Sequence, residues 1–150
     1  MLNEDQINQM AIVIAKMEGV EAHGKFLGVL ESIFISVVDS TPDEETERDT
    51  FLTMLQMVSE VADVNEKEMQ KRPEGERHFG FQGEMAAHSS FFEILKEAYA
   101  LPVDKETRKA FVSAKVKVVQ KEIDDLVAQP LAEWRALQGL ENSSEGQTLH

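Results

Sequence analysis

The chain contains no cysteine. That excludes disulfides and thiolate chemistry, and it fits a reducing compartment. Bases are scarce: 15 Lys and Arg stand against 28 Asp and Glu, giving a formal net charge of −13. A field of that sign repels nucleic acid and anionic membranes and attracts basic surfaces. No apolar run is long enough for a membrane. The longest, Phe26 to Val38, is broken by Gly28, Glu31, Ser32 and Ser36 and falls short of the ~20 residues a bilayer span needs. The opening Met1-Leu2-Asn3-Glu4-Asp5 has no basic region of the kind that starts a signal peptide, so a cytoplasmic protein is expected. Internal repeats are missing, as is any set of alternating runs that would build a sheet.

What is present is ordinary for a folded domain: 42% apolar and 29% charged residues over 150 positions, enough to bury a real core. The negative charge is uneven. Residues 1–76 carry 17 acids against 6 bases, residues 77–150 only 11 against 9. Five segments have helical period. The first spans about 4–18, with Asn3 as N-cap and Gln6 three residues on. Its inner face is Ile7, Met10, Ala11, Ile14 and Met17, and Gly19 ends it. The second, about 20–39, is apolar nearly all round and should lie at the centre, although its β-branched end, Ile33 to Val38, would also suit a strand. Thr41-Pro42-Asp43-Glu44 predicts the start of a third helix, with Thr41 as cap and proline first, running from 42 to about 71. Phe51, Met54, Leu55, Val58, Val61 and Ala62 should face inward there. A glycine-bearing loop over 73–83 leads to a fourth helix, about 84–100, burying Met85, Phe91, Phe92, Leu95 and Ala98. Asp104 caps a last helix whose seam is Val112, Val116, Val119, Ile123 and Leu126, and which Pro130 should break or kink. The expectation is an all-α, single-domain bundle of about five helices over 1–140, with a flexible polar tail at 141–150.

No catalytic, metal or cofactor motif of high specificity occurs, so none of these residue classes is assigned. Glu84 and His88 are four apart, as are Glu74 and His78, but only the first pair falls in an expected helix, and the Glu-x-x-His element of di-iron bundles is missing. Lys105, Lys109, Lys117 and Lys121 recur by fours without interleaved aromatics. They read as a counter-surface to the acids rather than a nucleic-acid site.

Two surfaces stand out instead. Asp43, Glu44 and Glu47 open the third helix, and Glu60 and Asp63 continue its acid excess, an array that can dock on an arginine-rich surface. The loop adds Arg77, His78, Phe79 and Phe81 on a glycine frame. The nine residues form the expected contact set for a basic protein partner. The small residues Gly24, Gly28, Ser32 and Ser36, followed by Ser40, recur every fourth position and would let another helix approach closely, inside the bundle or across a homodimer. The leading expectation is a small acidic protein-binding module: an inhibitor, an immunity or anti-defence protein, or a chaperone-like escort. A purely structural homo-oligomer is a further alternative.

One enzymatic pattern is also present. Glu18-Gly-Val-Glu21 followed by Glu60-Val-Ala-Asp63 resembles the E-x-x-E … E-x-x-D pattern of MazG-type all-α nucleotide pyrophosphohydrolases. The resemblance implies that Glu18, Glu21, Glu60 and Asp63 hold Mg²⁺ against a nucleotide's phosphates. It covers eight positions, the two pairs lie farther apart than in that family, and Gly19 interrupts the first.

Overall fold

The computed structural model describes the backbone of residues 3–148 and the side chains of residues 3–136. Four long helices run up-down-up-down: α1 (Glu4–Ser40), α2 (Glu44–Gln70), α3 (Gly80–Ala100) and α4 (Lys105–Thr148), with a single 3₁₀ turn at Glu74–Glu76. No strand occurs among the described residues, and no helix there is long and apolar enough to cross a membrane. α1 is the hub. It packs against all three other helices, most extensively against α3 and α4.

The all-α class holds, but four helices replace five. Gly19 does not end α1. It sits where α3 crosses, and a Cβ there would lie 2.5 Å from the Phe79 Cβ and 2.7 Å from its carbonyl oxygen. Gly83 answers it from α3: a Cβ at that position would collide with the Gly19 carbonyl and come within 2.9 Å of the His23 nitrogen. The two glycines let the helix backbones touch, and that packing offsets the ~1 kcal/mol each costs inside a helix. The β-branched stretch Ile33–Val38 is helical for a related reason, since Phe34, Val37 and Val38 are buried within α1.

Pro130 likewise leaves α4 continuous. Val127 and Leu131, on either side of it, are both buried, and Arg135 reaches Glu21 of α1 at 3.5 Å. Packing on α1 carries the chain past the lost hydrogen bond. The tail expected at 141–150 lies outside the residues whose side chains are described; the backbone of α4 reaches Thr148.

The centre is aromatic. Phe34 meets Phe51 edge-on at 5.4 Å and Phe91 at 6.0 Å, while Phe51 and Phe91 are 5.3 Å apart, so α1, α2 and α3 share one cluster. Such pairs add about 0.5–1.5 kcal/mol each beyond their burial. Val112, Val116, Ile123, Val127 and Leu131 close the core from α4. Leu126, expected in that seam, is 71% exposed and Val127 takes its place. Phe92 is also outside, at 43%.

The helix ends are chemically fixed. Asn3 and Gln6 form the reciprocal capping box expected of them. The α2 cap is Asp43 rather than Thr41: its carboxylate accepts from the Thr46 N–H at 2.7 Å. Thr41 ends α1 instead, donating its hydroxyl to the Val37 carbonyl at 2.7 Å. Asp104 caps α4 through the Thr107 N–H. Lys105 donates to the carbonyls of Val38 and Thr41, placing a cation at the negative end of the α1 dipole.

Candidate protein-binding surface

Of the acids expected on the docking face, one is not on the surface at all. Glu47 is fully buried and receives a two-pronged contact from Arg108, Nε at 2.6 Å and Nη2 at 2.8 Å. Tyr99 donates its hydroxyl to the same carboxylate at 2.6 Å. Arg108 also donates to the Val103 carbonyl. This triad ties α2, α3 and α4 together at one end of the bundle. The hydrogen bond to Glu47 holds the guanidinium's pKa above its usual value. Burial, reinforced by the Glu47 contact, raises that of Tyr99 well above the phenol range. Glu47 is therefore a structural anchor and cannot meet a partner.

The remaining expected acids lie outward. Asp43 and Glu44 are exposed at the start of α2. The backbone hydrogen bond from Thr46 depresses the Asp43 pKa. Glu60 is exposed and accepts from Gln56, and Asp63 pairs with Lys67 one turn on. Glu45, Asp49 and Glu68 add to the same exposed surface.

α2 carries more apolar surface than the bundle covers. Its core stripe is Phe51, Leu55, Ala62 and Met69. A second stripe, Met54, Met57, Val58, Val61 and Val64, is 39, 62, 36, 61 and 60% exposed. Met54, Val58 and Val61, which the sequence pattern places inward, lie outward instead. α2 packs chiefly on α3, with a smaller contact to α1, so only one of its two apolar stripes is buried. Between α1 and α2 lies a groove of about 340 Å³, lined by Ser32, Ile33, Ser36, Val37, Ser40 and Met54.

The row of small residues divides along its length. Gly24 faces Ile123 of α4, and Gly28 faces Gln120, whose amide donates to the Gly24 carbonyl at 2.9 Å. Those two positions serve packing within the molecule. Ser32, Ser36 and Ser40 are exposed. Ser32 and Ser40 donate their hydroxyls to the carbonyls four residues earlier, and the three serines leave that side of the groove small.

The loop residues do not gather into one contact site. Arg77 donates to the carbonyls of Arg72 and Gln70 and so caps the end of α2. Phe79 is half-buried on Gly19, beneath the Lys16 ammonium at 5.9 Å. Phe81 is half-buried and lies against the exposed His78, ring centres 5.1 Å apart. Neither histidine in the core has ligand geometry. Nδ1 of His88 donates to the backbone carbonyl of Glu84 at 2.6 Å, not to its carboxylate. His23 meets Ser90 at 2.9 Å, and burial lowers its pKa.

The four carboxylates of the MazG-like pattern point to different partners. Glu18 and Glu21 reach Arg135 of α4, and Glu21 also accepts from Lys25, which lowers its pKa. Glu60 and Asp63 are satisfied along their own helix. Among the described residues no group of three or more His, Asp or Glu converges as a metal site. The exposed apolar stripe of α2 adjoins the groove through Met54, and exposed carboxylates lie on the same helix. Compared with family models, with curated proteins and with solved structures, the chain matches none of them.

Proposed function

We propose that this protein is a binding module that docks on a basic protein surface and inhibits or escorts its owner. One observation carries the reading: α2 presents an uncovered apolar stripe and exposed carboxylates on the same helix. Apolar anchors supply affinity, while peripheral acids steer the approach and select the partner. Glu44, Glu45, Glu60 and Asp63 are the acids assigned to that role. Glu47 drops out because it is buried. Arg77 and Phe79 drop out because they are spent on holding the loop. A chain without cysteine is suited to work in the cytoplasm.

The test is affinity capture with the folded chain, followed by mass spectrometry, in parallel with a Glu45→Lys/Glu60→Lys variant. The reading expects a basic protein that the first bait retains and the second loses. Recovery of the same proteins by both baits counts against it.

A further inference from the structure

We infer that the surface formed by α2 and the α1–α2 groove receives a basic amphipathic helix of the partner. The inference rests on the binding-module reading above and names the form of what is bound. Its first support is period. Met54, Met57, Val61 and Val64 are spaced three, four and three residues apart, with Val58 beside them. That is the a/d spacing of a helix seam, which keeps an apolar line facing a second helix. α2 already spends a separate stripe on its own core, so the seam is additional to what folding requires.

The second support is shape. Beside the seam, Ser32, Ser36 and Ser40 keep the α1 wall low, and the groove there is lined by Ile33, Val37 and Met54. Small residues of this kind let a helix backbone come close.

The third support is charge, which also selects among occupants. α2 carries eight acids against two bases. Glu60 stands next to Val61, and Glu68 continues the line one turn past Val64; both are exposed. An incoming helix with Lys or Arg flanking its apolar positions meets these carboxylates. A second copy of this chain does not. Two molecules of charge −13 repel, and pairing the seam with itself in antiparallel about its midpoint brings the two Glu60 carboxylates together. Opposite charge is therefore the favoured complement.

The probes are three synthetic peptides of three heptads each. One has Leu at a and d and Lys at e and g, one replaces those Lys with Glu, and one is a scramble of the basic peptide without the heptad. Binding to the full chain is read by fluorescence anisotropy, and the oligomeric state by sedimentation. The expected result is binding of the basic heptad peptide alone, weakened at least about tenfold by Val61→Glu. That substitution adds negative charge, so purely electrostatic binding would strengthen instead. Val61 is mostly exposed, and unchanged circular dichroism and melting verify the fold; Val64→Glu is the second variant. Three results overturn the inference. If both basic peptides bind equally and Val61→Glu does not weaken them, the acidic surface binds but the seam does not, and the binding-module reading survives alone. If no basic peptide binds even at low salt, both readings fall. If the chain is a dimer that Val61→Glu splits, the seam belongs to a second copy.

Discussion

Removing one half of the Glu47–Arg108 pair strands the other in a site sealed from water. Arg108→Met leaves a buried carboxylate with only the Tyr99 hydroxyl, and unfolding should become easier by about 3–5 kcal/mol. The double change Glu47→Leu/Arg108→Met removes both charges and should recover most of that loss in a denaturant titration. If single and double variants are equally damaged, packing rather than charge governs the site. A second residue-scale effect concerns acid. Burial lowers the His23 pKa below its usual 6.5. The unfolded chain then binds a proton more readily than the folded one, so the His23 contribution is complete above pH 6.5 and declines as pH falls through it. Denaturation midpoints at pH 7.5 and 5.5 should differ by less in His23→Gln than in the parent. The buried pair had a signature in the sequence. Glu47 is in phase with Phe51 and Leu55, and Arg108 with Val112 and Val116. A charge in step with a core stripe on each of two helices marks a buried pair. The neighbouring acids Asp43, Glu44, Glu45 and Asp49 mask that phase, because together with Glu47 they make a continuous array that suits an exposed surface.

At the scale of elements, glycine has two different jobs in α1 and α3. Gly83→Ala should drive a methyl into the Gly19 carbonyl and the His23 nitrogen, backbone atoms that cannot swing aside. A loss of at least about 1–3 kcal/mol is expected, with α1 and α3 forced apart. Gly28→Ala meets only the end of the Gln120 side chain, 3.1 Å away. There the gain in helix propensity of roughly 1 kcal/mol and the disturbed Gln120 bond to Gly24 should nearly cancel. Equal melting temperatures for the two variants would contradict this account. The same contrast explains what could be read in advance. Capping at Asn3 and Asp104, the central apolar helix and the all-α class depend on short-range pattern and were legible. The continuity of α1 through Gly19 and of α4 through Pro130 depends on what packs across from them, and local propensity holds no record of that. The α2 face was half legible for a similar reason: its apolar residues fill two stripes, and only the tertiary arrangement decides which one is buried.

At the scale of the whole molecule, charge decides how fast a partner arrives rather than how long it stays. A net charge of −13, concentrated in the first 76 residues, attracts a basic partner over a distance set by salt, about 8 Å at physiological ionic strength. Glu45 and Glu60 are exposed and cap no helix end, so reversing them leaves the architecture intact. Glu45→Lys/Glu60→Lys should slow association with the basic heptad peptide several-fold and change its dissociation little. Raising the salt should slow the parent more than the variant, since the variant has less attraction to screen. Val61→Glu should do the reverse, hastening dissociation while leaving the on-rate equal or higher. Stopped-flow mixing at two salt concentrations separates the two effects. An on-rate indifferent to both salt and charge reversal would reduce the acidic half to a solubility device. The apolar seam would then be the sole source of recognition, and its partners would carry no particular charge.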